Sequence, residues 1–122
     1  MLAATGFDGY YKMLNPAWET TLGHSKEKLL STRNIDFVHL DDVETTLAAA
    51  AALITEGKIL AYFENRLRHK NGSYRWLSWH TTIDFEEQCA FSTVRDITEK
   101  KQATLDLQEA KEQLEKNTKD LN

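Results

Sequence analysis

The side chains in this chain that could do chemistry are one cysteine, four histidines and two adjacent carboxylate pairs. Cys89 stands alone, which excludes a disulfide framework within the chain. With no cation near it in sequence, it reads as a small core residue of a strand, because a thiol becomes nucleophilic only where its surroundings favour the thiolate. His24, His39, His69 and His80 show neither i,i+4 pairing nor a Cys/His cluster, so their spacing offers no metal site. Asp41-Asp42 precedes a helical stretch and Glu86-Glu87 falls in a turn; capping and solvation explain both better than acid–base catalysis. The sequence has no phosphate loop, no G-x-S-x-G elbow and no H-E-x-x-H pattern. It is expected to be non-catalytic.

The polar position that asks for an explanation is Asn65. It shares alternation parity with Phe63 and Leu67, which directs it toward the interior. A buried amide must be hydrogen-bonded, and its partner is a ligand, a helix carbonyl or a water. Phe63, Phe37 and Trp79 are the aromatic candidates to line a pocket there, or equally to fill a plain core. A ligand in such a place would be small and partly apolar.

The elements that must position these residues follow from periodicity and punctuation. Leu2–Thr5 and Tyr10–Leu14 flank Asp8-Gly9, a hairpin signal. Asn15 is placed to cap a short helix opened by Pro16 and closed at Gly23. Ser25 can cap a further turn through Leu30, and another turn covers Ile35–Leu40. Asp41 and Glu44 have the capping-box spacing for a helix from Asp42 to about Glu56, ended by Gly57. Its five alanines, Ala48 to Ala52, favour helix and are small enough to allow close packing on a sheet. Ile59 to Arg68 alternates with a period of two. Asn71-Gly72 then predicts a type I′ turn, which is also the reading of the sequon Asn71-Gly72-Ser73. In the next strand, Tyr74 to about Phe85, Leu77, Trp79, Thr81 and Ile83 share one parity. Trp76 and Tyr74 share the other and are expected to be covered by a second protomer or the terminal helix. Glu86–Gln88 turns the chain into a last strand, Cys89–Arg95. A hairpin, a group of helices and a three-stranded meander imply one mixed sheet with helices on one face.

Length and composition bound the function. The chain has 122 residues, enough for one domain with a real core: 41% are hydrophobic, with three Trp, four Tyr and five Phe. A net charge of -4 with no basic stripe argues against nucleic acid. The longest uncharged run, Thr45–Thr55, is too short to span a bilayer, and the first residues lack the features of a signal peptide. No membrane contact is expected in this segment, and the single cysteine suits a cytoplasmic setting.

From Ile97 on there is no Gly, Pro or aromatic residue. Leu107, Leu114 and Leu121 recur every seventh residue, with Ala103, Ala110 and Asn117 between them, an a/d pattern that calls for a second helix and hence a homodimer. Asp96 is placed to cap this helix, with Glu99 as its capping-box partner; Ile97 and Thr98 complete the junction. The pattern running up to the last residue suggests part of a longer protein.

At Arg95-Asp96-Ile97-Thr98-Glu99-Lys100-Lys101 the chain resembles the closing "RDITE(R/K)K" signature of PAS domains, their PAC half included. Asn15-Pro16-Ala17-Trp18 with Leu22-Gly23-His24-Ser25 resembles the family's "NPAW…LGYS" opening. His39-Leu40-Asp41-Asp42 stands where many members read "HPDD", and Arg66 to Trp76 follows "RLRRKDGSYRW". The match covers most of the chain. It implies an α+β fold: a five-stranded antiparallel sheet in the order 2-1-5-4-3, short helices and one longer helix on one face enclosing a ligand cavity, and an amphipathic C-terminal helix. The expected division is a PAS/PAC domain over residues 1–98 and a signalling helix over 99–122. The resemblance further implies that Asp96 pairs with a basic residue on the neighbouring strand, for which Arg75 is the candidate.

Members that use flavin carry a cysteine in a motif resembling "NCRFLQ"; the matching Asn34-Ile35-Asp36-Phe37-Val38-His39 has none. Members that bind haem mostly place a histidine on the long helix, and Val43–Glu56 has none; His39 just precedes it. Haem and flavin are therefore not expected, and the cofactor is left unknown. The implied role is a sensor in bacterial signalling that passes a conformational change through its last helix to a kinase or cyclase domain in the same chain, the histidine kinase preferred to the diguanylate cyclase. The alternative is a ligand-free dimerisation or docking scaffold with a filled interior.

Overall fold

In this computed structural model the described residues are 1–57 and 59–120, with residues 61, 119 and 120 described by backbone alone. Strands β1 (Leu2–Gly6) and β2 (Tyr11–Leu14) form the opening hairpin. Helices α1 (Ala17–Leu22) and α2 (Lys26–Ser31) follow, then two single-turn 3-10 segments, Asn34–Phe37 and Leu40–Asp42, and helix α3 (Val43–Glu56). Strands β3 (Leu60–Arg68), β4 (Tyr74–Asp84) and β5 (Cys89–Asp96) complete the sheet, and helix α4 (Thr98–Asp120) leaves it. The sheet order is β2-β1-β5-β4-β3, and every pairing is antiparallel. The α+β architecture that the resemblance implies is borne out, and the sheet is antiparallel throughout, not mixed as the order of elements suggested. Leu121, the last of the heptad leucines, lies outside the described residues.

Side-chain alternation decides which face the helices cover. Ala3 on β1, Val94 on β5, Leu77 on β4 and Leu67 on β3 are all buried on one face, where Trp18, Leu22, Leu29 and Phe37 from the helices and turns close the core. Trp18 is fully buried, and its indole N–H donates to the Leu2 carbonyl at 2.8 Å, so the one polar atom of the largest core residue is satisfied. Gly23 closes α1 in the left-handed region, φ 77°, and its N–H donates to Glu19 O. Ser25 caps α2, its Oγ accepting the Lys28 N–H at 3.1 Å.

Several local expectations gave way to longer-range partners. Asn15 does not cap α1: its Oδ1 accepts the Leu2 N–H at 2.9 Å and ties the end of β2 to the start of β1. The Asp41/Glu44 capping box does not form. The Asp41 N–H donates to Nδ1 of His39, while Asp42, at the head of α3, turns its carboxylate to Arg66. The Asn71-Gly72 turn is not type I′. Only Gly72 has a positive φ, 90°, and the loop is closed by His69 N–H to Ser73 O and Gly72 N–H to His69 O, a longer turn with one left-handed residue.

The alanines of α3 do not bring it down onto the sheet. Leu53 is its buried residue, and Ala49 and Ala50 face open space instead of strand side chains. Small side chains on a helix whose head is tied to Arg66 through Asp42 leave a gap they cannot fill.

Candidate functional site

The gap is a cavity of about 280 Å³ between α3 and the sheet. Its roof is Thr46, Leu47, Ala49, Ala50, Leu53 and Ile54 of α3. Its floor crosses all five strands: Tyr11, Thr5, Ala90 with Ser92, Trp79 with Thr81 and Ile83, and Phe63 with Leu60. Phe7, Asp8, Gly9, Arg33 and Asn34 form the end where the β1–β2 turn meets the 3-10 segment; the Asn34 N–H donates to Gly9 O at 2.8 Å and fastens the two. At this end the carboxylate of exposed Asp8 is paired with Lys12 at 2.7 Å, which holds its pKa below the usual carboxylate range.

Of the four pocket residues named from the sequence, Phe63 and Trp79 line the cavity. Asn65 stands behind them, 2% exposed, and acts on the wall: its Oδ1 accepts the Trp79 indole N–H at 2.6 Å and its Nδ2 donates to Thr46 Oγ1 on α3 at 3.3 Å. One amide thus joins the roof helix to the aromatic wall, and its interior orientation is the one its parity required. Phe37 does not line the cavity. It belongs to the buried core cluster that includes Leu29 of α2 and Leu67 of β3, its ring 5.1 Å from that of His24, because the 3-10 segment turns it into that core. His39 lies away from the cavity with its ring 4.5 Å from that of Tyr74.

The sequence reading missed the hydroxyls of the floor. Thr81 and Ser92, both nearly fully buried, hydrogen-bond to each other at 2.8 Å across β4 and β5. Tyr11 is 3% exposed; its ring packs against Trp18 at 5.3 Å, and burial pushes its hydroxyl pKa above the ordinary phenol value. Period-two alternation placed Thr81 on the inner face, but Thr and Ser in strands signal surface as often as pocket.

A second polar system runs on the opposite side of β3, at the sheet edge. The Arg66 N–H and Nε donate to Asp42 Oδ2 at 2.8 and 2.9 Å, and Nη2 donates to Oδ1 at 2.8 Å. The fork matches the carboxylate geometry, and the backbone N–H that an edge strand would leave open is filled by the same carboxylate. These bonds hold the Asp42 carboxyl below its ordinary pKa and raise that of Arg66. The Arg66 guanidinium lies 4.8 Å from the centre of the Trp76 ring, and the Lys101 ammonium of α4 lies 4.6 Å from it. Lys101 also pairs with Glu64 at 2.7 Å. Trp76 is therefore covered in part by the first turns of α4.

The junction between β5 and α4 has no slack. Asp96 Oδ1 accepts both the N–H and the hydroxyl of Thr98, at 2.9 and 2.5 Å. Thr98 Oγ1 accepts the Trp76 N–H at 2.9 Å, and the Ile97 N–H donates to Trp76 O at 2.8 Å. The entry to the helix thus continues the hydrogen-bond ladder of β4. Arg75 Nη1 stands 3.6 Å from Asp96 Oδ2. Glu99 is exposed and makes no return bond to Asp96 among the described residues, so the capping box expected there is replaced by Thr98. Beyond this junction Leu107 and Leu114 are 72% and 67% exposed.

Comparison with known proteins places this geometry. The family model described as "PAS fold" matches residues 11–90 of the 122. No match was found among curated protein sequences. Among solved structures, a sensory box histidine kinase/response regulator from Burkholderia thailandensis aligns with a TM-score of 0.71 at 20% identity, covering 94% of this chain and 89% of that one. The N-terminal domain of a diguanylate cyclase with PAS/PAC sensor from Marinobacter aquaeolei gives 0.70 at 16% identity, covering 81% and 95%. The Drosophila melanogaster Cycle PAS-B domain, solved with bound ethylene glycol, gives 0.70 at 12% identity, covering 78% and 97%. At these identities the likeness is one of fold. Among the described residues no helix is long and apolar enough to cross a membrane.

Proposed function

Because the chain belongs to the PAS fold family, we propose that it is a cytoplasmic sensory module that takes a small molecule into the cavity under α3 and passes the resulting shift to α4. Residues 1–98 form the receiver and residues 99–122 the signalling helix. The observation that carries this reading is the direct hydrogen bonding of α4 into β4 through Trp76, Ile97 and Thr98. A sheet that forms the cavity floor cannot move there without moving the helix. Asp42 at the head of α3, Arg66 and Trp76 extend the same connection from the cavity roof to Lys101. The Arg75–Asp96 pair, at the surface, contributes only about 0–1 kcal/mol, a size that permits rearrangement.

The exposed Leu107 and Leu114, with Leu121 continuing their spacing, support a parallel pairing with a second copy, which makes the module a homodimer. An isolated helix of this composition is marginal in water, so a partner is needed to hold it. The output is read as a kinase or cyclase domain in the same chain. The fold likeness to domains of both kinds supports either output, of which the histidine kinase is preferred. The rival, a ligand-free scaffold, requires a filled interior, and a cavity of about 280 Å³ weighs against it.

The test is made on the 122-residue chain with paired spin labels on α4 at Lys111, comparing wild type with Ala49→Phe, which fills the cavity from its roof. A dimer whose inter-label distance distribution changes on filling is the expected result. A monomeric wild type at high micromolar concentration, or a dimer whose distances do not respond, refutes the proposal. Leu107→Lys with Leu114→Lys should convert the dimer to a folded monomer by sedimentation.

A further inference from the structure

The cavity interior is short of hydrogen-bond acceptors, and that shortage identifies the class of molecule it suits. Thr81 and Ser92 hold two hydroxyl protons between them; one bridges the pair at 2.8 Å and the other has no protein acceptor among the described residues. Tyr11 shares the floor, and its hydroxyl makes no hydrogen bond among the described residues. Thr46, on the roof, accepts from Asn65 Nδ2, yet its own O–H finds no protein acceptor among them. The three elements that carry these groups are separate: β2, the β4–β5 pair, and α3.

A hydroxyl also has lone pairs, but an unfilled lone pair costs less than an unfilled buried donor. The charge balance narrows the choice. Around these hydroxyls the walls are aliphatic and aromatic; among the described lining residues the cation is Arg33, an exposed residue at the end of the cavity, where Lys12 is already paired with Asp8. A full negative charge on the floor would lose its hydration with no cation among the described floor residues to replace it. We infer that the cavity binds a small, neutral, mainly apolar carbonyl compound, whose oxygen accepts from the Thr81–Ser92 pair and Tyr11. The volume, room for roughly nine waters at about 30 Å³ each, sets the upper size. This inference rests on the reading of the cavity as a ligand site.

The test uses two probes of one shape, cyclohexanone and methylenecyclohexane, titrated into the wild-type chain and followed by amide NMR shifts. Two variants accompany it: Tyr11→Phe, and Thr81→Val with Ser92→Ala, the latter removing both partners so that neither is orphaned. Cyclohexanone should bind roughly three- to tenfold more weakly to each variant, and methylenecyclohexane should change less than twofold. On wild type alone, the infrared carbonyl stretch of bound cyclohexanone should lie below its value in hexane, a readout independent of variant folding. If both probes bind, the variants affect them equally and the stretch matches hexane, the carbonyl assignment is wrong while the cavity remains a ligand site. If neither probe binds wild type, both fall.

Discussion

Replacing Asp42 by alanine should destabilise the fold by about 2–3 kcal/mol at pH 7. The substitution removes three charge-assisted hydrogen bonds to Arg66, two to the guanidinium and one to the backbone N–H of edge strand β3. Breaking a fully buried pair of this kind by deleting one partner costs about 3–5 kcal/mol. Here the Asp42 and Arg66 side chains keep 14% and 25% of their exposure, so water can reach part of the orphaned guanidinium and the cost must be reduced. For a chain of this size the change corresponds to a fall in Tm of roughly 6–12 °C, at about 3–4 °C per kcal/mol. The pH dependence supplies the sharper check. The Arg66 side chain holds the Asp42 carboxyl below its ordinary value. Its contribution is then complete above the unfolded pKa, about 3.9, and disappears as the pH falls through the lower folded value. The stability gap between wild type and Asp42→Ala, measured by urea unfolding at pH 7 and near pH 3, should therefore narrow in acid. A gap under about 0.5 kcal/mol at pH 7, or one that does not change with pH, refutes the assignment of Asp42 as the clamp on β3.

Other expectations test the wall, the edge and the helix ends. Asn65→Leu leaves the Trp79 indole N–H and the Thr46 hydroxyl without their partner, and should cost about 1–3 kcal/mol in urea unfolding with a shifted tryptophan emission; unchanged stability and emission would show that the amide holds nothing. Tyr62 has φ 60° at the bulge of β3 and is 84% exposed, a left-handed conformation that costs a side-chain-bearing residue roughly 1–2 kcal/mol. Tyr62→Gly should thus leave stability unchanged or raise it by up to about 1 kcal/mol after the glycine entropy loss; a clear loss would mean the ring has a packing role. At Gly23, φ 77°, an added Cβ would meet His69 Cε1 at 2.8 Å, so Gly23→Ala should lower Tm, by about 2 kcal/mol of stability or more.

What could be read from the residues is what depends on near neighbours in the chain. Alternation put Phe63, Asn65 and Leu67 on the inner face, because successive side chains of a strand must point opposite ways. Gly23 and Gly57 stopped their helices where a left-handed residue was needed, and Ser25 capped α2 through a bond three residues away. Asp96 marked the start of α4 for the same reason, though Thr98, not Glu99, completed it.

The tertiary structure decided wherever a polar group had two possible partners. Asp42 had a helix end beside it and Arg66 24 residues away; the guanidinium won, because it supplies two charged donors beside an edge N–H that nothing else fills. Asn15 likewise chose Leu2 over its own helix. The cavity, too, was settled beyond local reach. Five alanines specify a helix, but how far it stands from the sheet depends on long-range packing, including the hold of Arg66 on Asp42 at its head. That distance turned Thr81, Ser92 and Tyr11 from strand residues into the floor of a chamber and left Phe37 in the core. Local sequence fixes the direction in which a side chain points; only the packed chain determines what waits for it there.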